Sequence, residues 1–245
     1  MIGFGKTDIG QIRPKNEDSI YVSNAPVGKL HNLYIVADGM GGHKAGQVAS
    51  NTAIEAFLAY LNKYQPDSTE EPLDMLIGGI NMANDAVYKL GQTYYEEYGD
   101  MGTTMVAVTF VGNNMYVAHV GDSRLYKISR GKIEQITNDH SLVAEMVRAG
   151  QLTETEARNH PQRNCITRAV GTDSKVVADG IITKVNKDDI IVICSDGLST
   201  MLEDNEILII SGAKQFTTEE RVNMLINAAN ENGGMDNISA VIIDI

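Results

Sequence analysis

Aspartate residues stand at the ends of the most apolar stretches of this chain, and they are the residues best suited to chemistry. Asp38, Asp122 and Asp196 each close an apolar run next to a small residue, whereas Asp236 opens the last run. Short apolar runs rich in β-branched residues are typical of buried strands, so each carboxylate is expected where a strand leaves its sheet. If the last strand runs antiparallel to the others, the four carboxylates meet at one edge. Converging carboxylates repel one another and need a cation, so the pattern predicts a hydrolase that uses a hard metal ion.

The glycine-rich segment 38–43 carries the clearest signal. Gly39, Gly41 and Gly42 predict a turn without side-chain bulk, in which backbone oxygen can approach an ion closely. A helix is expected to begin just after it, at Ala45. Taken alone, the segment fits a strand-to-helix turn with a capping aspartate equally well. The aspartates elsewhere in the chain favour the metal site.

A charged segment near the amino terminus, residues 13–18, supplies further candidates. The guanidinium of Arg13 offers two parallel N–H donors that suit a phosphate group. Glu17 and Asp18 could contact metal ions through bound water. Without the remaining aspartates, a solvated charged turn would be the better interpretation. A site built only from oxygen ligands favours Mg²⁺ or Mn²⁺ over zinc.

Ser123 and the histidines offer a different chemistry. Ser123 follows Asp122, and a serine nucleophile needs a histidine base that a carboxylate orients. The five histidines stand in no recognisable triad context. His43 and His140 are weaker candidates for acid–base work, because such residues more commonly lie on the surface or serve in hydrogen bonds.

Composition narrows the class of protein. The 245 residues fit one large domain, of which 43% is apolar and 21% charged. A net charge of −12 and the absence of tryptophan argue against a nucleic-acid partner. There is no signal-peptide pattern and no run of ~20 apolar residues that could span a membrane. We therefore expect a cytoplasmic protein and take a monomer as the expected form, although a domain cut from a longer membrane protein would have the same sequence features.

Hydrophobic periodicity predicts the elements that must position these residues. Residues 141–164 are polar and predict short helices, with a capping box at Thr153. Hairpin turns are expected at Gly112-Asn113 and Arg130-Gly131. Strands grouped in hairpins, with helices before and between them, favour antiparallel sheets in layers rather than a βαβ repeat. The predicted helices are 45–64 (stopped by Pro66), 71–98 and 217–232, and the predicted strands are 103–111, 114–120, 123–129, 132–136, 176–183, 189–194 and 237–245.

Taken in order, these segments resemble the PPM (PP2C-type) family of metal-dependent protein phosphatases, and above all the bacterial serine/threonine phosphatases paired with Hanks-type kinases. The resemblance implies an α+β fold, an αββα sandwich of two antiparallel sheets between helix layers. It also implies one domain over residues 1–245, with a flap subdomain at about 141–165 beside the active site. The matching pieces cover nearly the whole chain: 13–18, 36–43, 102–104, 120–126, 138–142, 166–171, 195–198 and 236–237.

The family pattern assigns metal ligands residue by residue. By resemblance, Asp38 bridges two core ions, Mn²⁺ or Mg²⁺. The Gly39 carbonyl serves one ion, and Asp196 and Asp236 serve the other. Glu17 acts through bound water.

Further roles follow from the same resemblance. Asp122 joins Asp196 at a third, weaker metal site of the bacterial members, and Arg13 holds the substrate phosphate. Eukaryotic relatives carry a histidine directly after the Asp-Gly pair as a proposed general acid. Met40 stands there in this chain, and His43, three residues on, does not simply inherit the role, so the proton donor stays open.

The expected activity is hydrolysis of phosphoserine and phosphothreonine on proteins by a metal-activated water, which reverses Ser/Thr kinase signalling. Phosphorylated proteins are the expected partners, with a cognate Hanks-type kinase among them. Two alternatives stay open. One is a catalytically silent phosphoprotein-binding or sensor module, although such domains usually lose one or more of the aspartates. The other is a phosphatase for a small phosphorylated metabolite, which the sequence separates poorly from the first.

Overall fold

A computed structural model describes residues 1–42, 45–63 and 69–245. Its strands are β1 (Ile2–Asp8), β2 (Asp18–Ser23), β3 (Leu33–Met40), β4 (Gly102–Thr103), β5 (Met105–Val111), β6 (Asn114–Val120), β7 (Arg124–Ser129), β8 (Lys132–Gln135), β9 (Asp179–Lys184), β10 (Ile190–Cys194) and β11 (Ile238–Asp244). Its helices are α1 (Ala45–Leu61), α2 (Pro72–Thr93), α3 (Tyr95–Tyr98), α4 (Leu142–Arg148), α5 (Glu154–Arg158), α6 (Asp196–Ser199), α7 (Asp204–Ser211) and α8 (Thr218–Glu231).

The strands of the described residues form two sheets. The first has the order β1-β11-β10-β7-β8, and the second has the order β2-β3-β5-β6-β9, with β4 also paired to β3. Neighbouring strands pair antiparallel in both sheets. Because β11 runs antiparallel to β10, the beginning of β11 lies at the same edge as the end of β10, as the sequence predicts.

Successive side chains of a strand point to opposite faces of its sheet, and this alternation creates three separate cores. In β10, Ile191 and Ile193 lie in the core between the two sheets, whereas Val192 and Cys194 lie in the core beneath α6, α7 and α8. In the second sheet, Ile35 of β3 packs in a third core under α1 and α2. The central strands β3, β5 and β10 are covered on both faces, which explains why their sequences are continuous apolar runs.

The order of layers is therefore helix, sheet, sheet, helix, so the predicted αββα sandwich is confirmed. Helix α1 packs against α2 over the second sheet, and α8 packs on β1 and β11 of the first. None of the helices within the described residues has both the length and the hydrophobicity that crossing a bilayer requires.

The element boundaries differ from the predictions where local sequence was ambiguous. Helix α1 ends at Leu61 rather than Tyr64, and both Tyr64 and Pro66 lie outside the described residues. The predicted helix 71–98 is broken at Tyr94, whose backbone (φ −120°, ψ 52°) is not helical, so α2 and α3 are separate. Strands β1 and β2 and helices α6 and α7 were not predicted.

Turn and cap signals gave the most accurate predictions. Gly112 (φ 57°) makes the turn between β5 and β6. Arg130 (φ 51°) and Gly131 (φ 72°) make the turn between β7 and β8, a conformation that suits the twist of a hairpin. The capping box at Thr153 is present at the start of α5. These turns position the ends of the strands that carry the aspartates.

Candidate metal centre

The core between the sheets changes from apolar to polar at one end. Along β2, Ile20 packs in this core, and the residue two positions before it on the same face is Asp18. Along β3, Val36 is followed two positions later by Asp38. Asp18 and Asp38 are direct partners in the β2–β3 register, so both carboxylates face the same end of the core.

The first sheet contributes to the same end of the core. Asp196 is the first residue of α6, directly after β10, and Asp236 lies two residues before β11. The hydroxyls of Ser195 and Ser239 donate to Asp18 Oδ2 at 2.8 and 2.7 Å. Asp18, from the second sheet, is thus anchored by two residues of the first.

Four aspartates surround Asp38 closely enough to perturb its ionisation. Desolvation, followed by the charges of Asp18, Asp196, Asp122 and Asp236, raises the pKa of Asp38 well above its usual range. Burial raises the pKa of Asp18 to about 7, of Asp122 to about 8 and of Asp196 to about 6. Asp236 is the largest charge that raises the pKa of Asp196, so like charges act on each other throughout the cluster and favour a proton or a cation there. The structure therefore brings the four predicted aspartates together and adds Asp18.

The segment before β2 places a positive charge at the edge of this cluster. Arg13 Nη2 donates to Asp236 Oδ2 at 2.7 Å, and the Arg13 side chain is 46% exposed. Asn237 holds the segment in place, because its amide oxygen accepts from the Glu17 N–H and its amide nitrogen donates to the Lys15 carbonyl, both at 2.8 Å. The guanidinium is therefore fixed beside the carboxylates and faces solvent.

Gly39 lies inside β3, and the predicted turn begins only after Met40. A side chain at Gly39 would collide with the carbonyl oxygens of Glu17 and Gly46. A Cβ atom at Gly46 would lie 2.7 Å from the Gly39 oxygen and 2.9 Å from Glu17 Cδ. The two glycines thus allow the Gly39 carbonyl and the Glu17 carboxylate to come together, while His43 lies outside the described residues.

The donor set fits a hard divalent cation. Glu17 Oε1 and Asp18 Oδ1 are buried and have no hydrogen-bond partner among the described residues. Burial is also the largest cause that raises the pKa of Glu17. Buried carboxylate oxygens without partners are costly unless a cation or proton compensates them, and oxygen-only sites suit Mg²⁺ and Mn²⁺.

Asp18 is more central than the sequence suggested, since both Glu17 and Asp18 were expected to contact the ions only through bound water and the family pattern assigned Glu17 alone. Asp18 is 6% exposed and two hydroxyls hold it in place, whereas Glu17 is only half-buried. The alternation Asp18-Ile20-Val22 was the available signal, because it puts the carboxylate on the face that carries the apolar residues. That signal becomes clear only once β2 is known to be a strand.

The alternative chemistry of a serine nucleophile does not fit the geometry. Ser123 is buried, and its hydroxyl pairs with Thr104 Oγ1 at 2.7 Å rather than with a histidine ring. His140 is also buried, with one ring nitrogen accepting from the Gly121 N–H and the other facing Asp179. Nδ1 is hydrogen-bonded and Nε2 faces a carboxylate at 3.3 Å, so His140 is oriented by its neighbours and is not a free acid or base.

Thr104 connects strand β3, which carries Asp38, to the segment between β6 and β7, which carries Asp122. Its backbone N–H donates to the Asp38 carbonyl at 2.8 Å, and its hydroxyl accepts from the Asp38 N–H at 3.0 Å. The same hydroxyl contacts Ser123, next to Asp122. Thr104 therefore holds the spacing between two of the aspartates.

Thr104→Val is expected to lower the free energy of unfolding by about 1–3 kcal/mol, because it leaves the Asp38 N–H buried without a partner. It should also weaken Mn²⁺ binding. Urea unfolding and calorimetric titration measure the two effects. Thr109→Val is the matched control, since Thr109 is equally buried on β5 but donates to the Asn32 carbonyl. If both variants weakened Mn²⁺ binding alike, Thr104 would have no special role in the spacing.

An αββα sandwich with an acidic, oxygen-only site at one end of its central core defines a class of hydrolases that depend on divalent metal ions. The model of the family described as Protein phosphatase 2C matches residues 13–235. The chain therefore belongs to the protein phosphatase 2C family, and it is a serine/threonine protein phosphatase.

Relatives and solved structures agree with this assignment. A protein phosphatase 2C-type protein of Streptococcus pyogenes is 40% identical over 238 residues, which covers 97% of this chain and 95% of the relative. The serine/threonine phosphatase of S. agalactiae superimposes with a TM-score of 0.91 at 38% identity, over 100% of this chain and 99% of that one. The catalytic domain of PstP, solved with two manganese ions, gives 0.85 at 32% identity over 99% and 97%.

Proposed function

We propose that the chain hydrolyses phosphoserine and phosphothreonine monoesters directly, without a phospho-enzyme, at a centre that holds two Mn²⁺ or Mg²⁺ ions. The observation that carries the proposal is the cluster of aspartates that two sheets bring around Asp38, with unpaired carboxylate oxygens inside it. The relative PstP, solved with two manganese ions, supports the choice of metal.

The ligands would be those that the family pattern assigns. Asp38 would bridge the ions, with the Gly39 carbonyl on one and Asp196 and Asp236 on the other. Glu17 would act through water, although the burial of Asp18 makes it an equal candidate for that position. When bound, such a pair of ions neutralises phosphate charge and acidifies a water molecule for in-line attack.

A third ion would be held more weakly. Asp122 and Asp196 carry the two carboxylates for it, and after desolvation the charge of Asp196 is the largest cause that raises the pKa of Asp122. A cation between them would relieve that repulsion.

Arg13 would bind the substrate phosphate. Its contact with Asp236 uses one nitrogen of the guanidinium, and the remaining N–H groups are available to a phosphate oxygen. The side chain therefore does not need to leave Asp236 in order to bind substrate. Binding and orientation of the phosphate are the contributions that this residue makes.

Arg13→Ala is expected to reduce kcat/KM for a phosphothreonine peptide by about 10–100-fold, the range that one charge-assisted contact of about 1.5–3 kcal/mol implies. Arg13→Lys should recover only part of this loss, because the ammonium lacks the planar fork. Steady-state kinetics at saturating Mn²⁺ measure the effect. Lys15→Ala, which removes a neighbouring exposed charge, is the control. An equal loss of kcat/KM in that variant would show that positive charge in general, and not a specific contact of Arg13, binds the phosphate.

We also propose that the chain is a single domain over 1–245 in which residues 141–165 form a flap. This segment contains α4 and α5 and borders a cavity of about 650 Å³ that also reaches Asp122 and Asp196. Arg158 pairs with Glu203 at 2.7 Å across the cavity. A phosphorylated segment of a protein substrate would lie between the flap and the body.

The partners would be phosphorylated proteins, including a cognate Hanks-type kinase, and the protein would act as a monomer in the cytoplasm. The experiment that tests the function is p-nitrophenyl phosphate hydrolysis after EDTA treatment, titrated with Mn²⁺ and repeated on phosphothreonine peptides, phosphotyrosine peptides and sugar phosphates. Metal-restored activity with phosphothreonine preferred is the expected result. Preference for a sugar phosphate would indicate a metabolite phosphatase, and folded protein without metal-dependent activity would indicate a silent binding module.

A further inference from the structure

A second group of titratable side chains lies beside the carboxylate cluster. His119 of β6 and His140 stack with ring centroids 4.8 Å apart and planes 16° from parallel, and Asp179 of β9 lies next to both. One ligand atom from each of the three residues lies within 4.8 Å of the others. His119 Nδ1 is buried without a partner among the described residues. This combination raises the question of a separate metal site.

The hydrogen bonds of His140 argue against a metal ion here. The Gly121 N–H donates to His140 Nδ1 at 3.0 Å, so the proton of the neutral ring resides on Nε2. That Nε2 faces Asp179 Oδ2 at 3.3 Å, and Arg168 occupies the other oxygen of Asp179 at 2.7 Å. A metal ion would need a lone pair on the same Nε2 and would meet the charge of Arg168. The group instead orients the His140 ring, through the hydrogen bond from Gly121 to Nδ1 and the approach of the Asp179 carboxylate, itself bonded to Arg168, to Nε2.

His140 holds both backbone polar groups of Gly121. The ring nitrogen Nδ1 of His140 accepts from the Gly121 N–H, and the backbone N–H of His140 donates to the Gly121 carbonyl, each at 3.0 Å. Gly121 has a φ of 104°, and a Cβ atom there would lie 2.6 Å from Thr104 Cβ. The backbone is therefore held between Thr104 and His140 in a conformation that favours glycine. The next residue in the chain is Asp122.

We propose that His140 is a positioning residue for Asp122. By fixing the peptide that precedes Asp122, the oriented His140 ring fixes the direction in which this carboxylate enters the cluster. The inference rests on the proposed function, in which Asp122 holds the third and weakest ion. His140 touches neither substrate nor ion, and Asp179 and Arg168 act on Asp122 only through the His140 ring.

Calorimetric titration of the metal-free protein with Mn²⁺, without substrate, tests this role. His140→Ala is expected to weaken the weakest site by about 10–100-fold, as losses of residues that orient metal ligands usually do, and to leave the tighter sites unchanged. His140→Asn should restore most of the affinity, because its Oδ1 takes the place of Nδ1 as acceptor for Gly121. In a protein that already carries Asp122→Asn, His140→Ala should cause no further loss of Mn²⁺ affinity.

The control is Asn84→Ala. Asn84 is equally buried, and its Oδ1 accepts from the N–H of Gly171, another glycine with positive φ (92°), at 2.8 Å. If Asn84→Ala also weakened Mn²⁺ binding at the weakest site, the inference would be overturned, since loss of any buried contact to a glycine would then have the same effect. If His140→Ala does not fold, His140→Gln tests the same point, because its amide lies at the Nε2 position and leaves the Gly121 N–H unpaired.

These measurements distinguish failure of the positioning role of His140 from failure of the proposed metal site at Asp122. If Asp122→Asn weakens Mn²⁺ binding but His140→Ala does not, the positioning role is wrong and the proposed site stands. If Asp122→Asn itself leaves Mn²⁺ binding unchanged, the assignment of Asp122 in the proposed function is wrong, and the inference from it is overturned as well. Equal losses by His140→Ala with and without Asp122 would also contradict the proposal.

Discussion

Replacing Asp38 by asparagine is expected to reduce kcat by at least about a thousandfold while the protein stays folded. Asp38 lies at the centre of the cluster, where four other aspartates act on it. A loss of about 4 kcal/mol of transition-state stabilisation corresponds to this factor, and the charge stabilisation that a metal ion supplies is of that size. Asp196→Asn should have the same effect, because Asp196 is one of the carboxylates whose charge acts on Asp38.

The stability of these variants separates a metal role from a folding role. In EDTA, Asp38→Asn should melt at the same temperature as the native protein or higher, because it removes one charge from a repelling cluster. On addition of Mn²⁺ its melting temperature should rise less than that of the native protein. Asp189→Asn is the matched control, since Asp189 is a buried carboxyl remote from the cluster that accepts from the Asn186 N–H. Near-normal turnover of either cluster variant in saturating Mn²⁺ would show that the metal assignment is wrong.

The metal-free protein is expected to become less stable as the pH rises from about 4 to about 8. Burial raises the pKa of Asp18 to about 7, of Asp196 to about 6 and of Asp122 to about 8, above the 3.8 that each has in the unfolded chain. Between these values the native state binds more protons than the unfolded state, so the free energy of unfolding falls with pH. This loss of stability is absent below the pKa of the carboxyls in the unfolded chain, and it is complete above their pKa values in the folded protein. Each pKa unit of such a rise corresponds to about 1.4 kcal/mol, so the loss of stability is expected to be large enough to measure by urea unfolding.

Mn²⁺ should reverse this dependence, because only the deprotonated carboxylates bind the ion. The rise in melting temperature caused by Mn²⁺ is therefore expected to be small at pH 5 and large at pH 8. Urea unfolding in EDTA and thermal unfolding with and without Mn²⁺, across pH 5–8, measure both trends. Asp18→Asn should flatten the dependence in EDTA by removing one of the three carboxyls. A metal-free protein equally stable at pH 5 and pH 8 would contradict the buried cluster.

Local sequence predicted the parts of the site that depend on strand ends. Asp122, Asp196 and Asp236 follow or precede apolar runs, and the antiparallel pairing of β10 with β11 and with β7 brings them to one edge. Glycines marked the hairpin turns correctly because a positive φ is a local requirement. These features need no knowledge of distant residues.

The remaining features depend on contacts between distant parts of the chain. Strand β1 has the mixed sequence IGFGKTD and is defined by its pairing with β11, at least 230 residues away. The burial of Asp18 depends on serines of the other sheet. His119 and Asp179 meet because β6 pairs with β9, and His140 joins them through its backbone bond to Gly121. Periodicity within a short window carries no information about such pairings.

The carboxylate cluster draws its members from both sheets, with Asp18 and Asp38 on one and Asp196 and Asp236 on the other. A cation held among them would act as a cross-link between two layers that otherwise meet through apolar side chains and a few hydroxyls. Metal affinity would then report how well the layers are aligned. A partner protein that binds one helix layer and shifts the sheet beneath it would change the affinity of the site for the ion. By thermodynamic reciprocity, the ion would change the affinity for that partner by the same factor. Metal occupancy and partner recognition would be thermodynamically coupled without any shared contact surface.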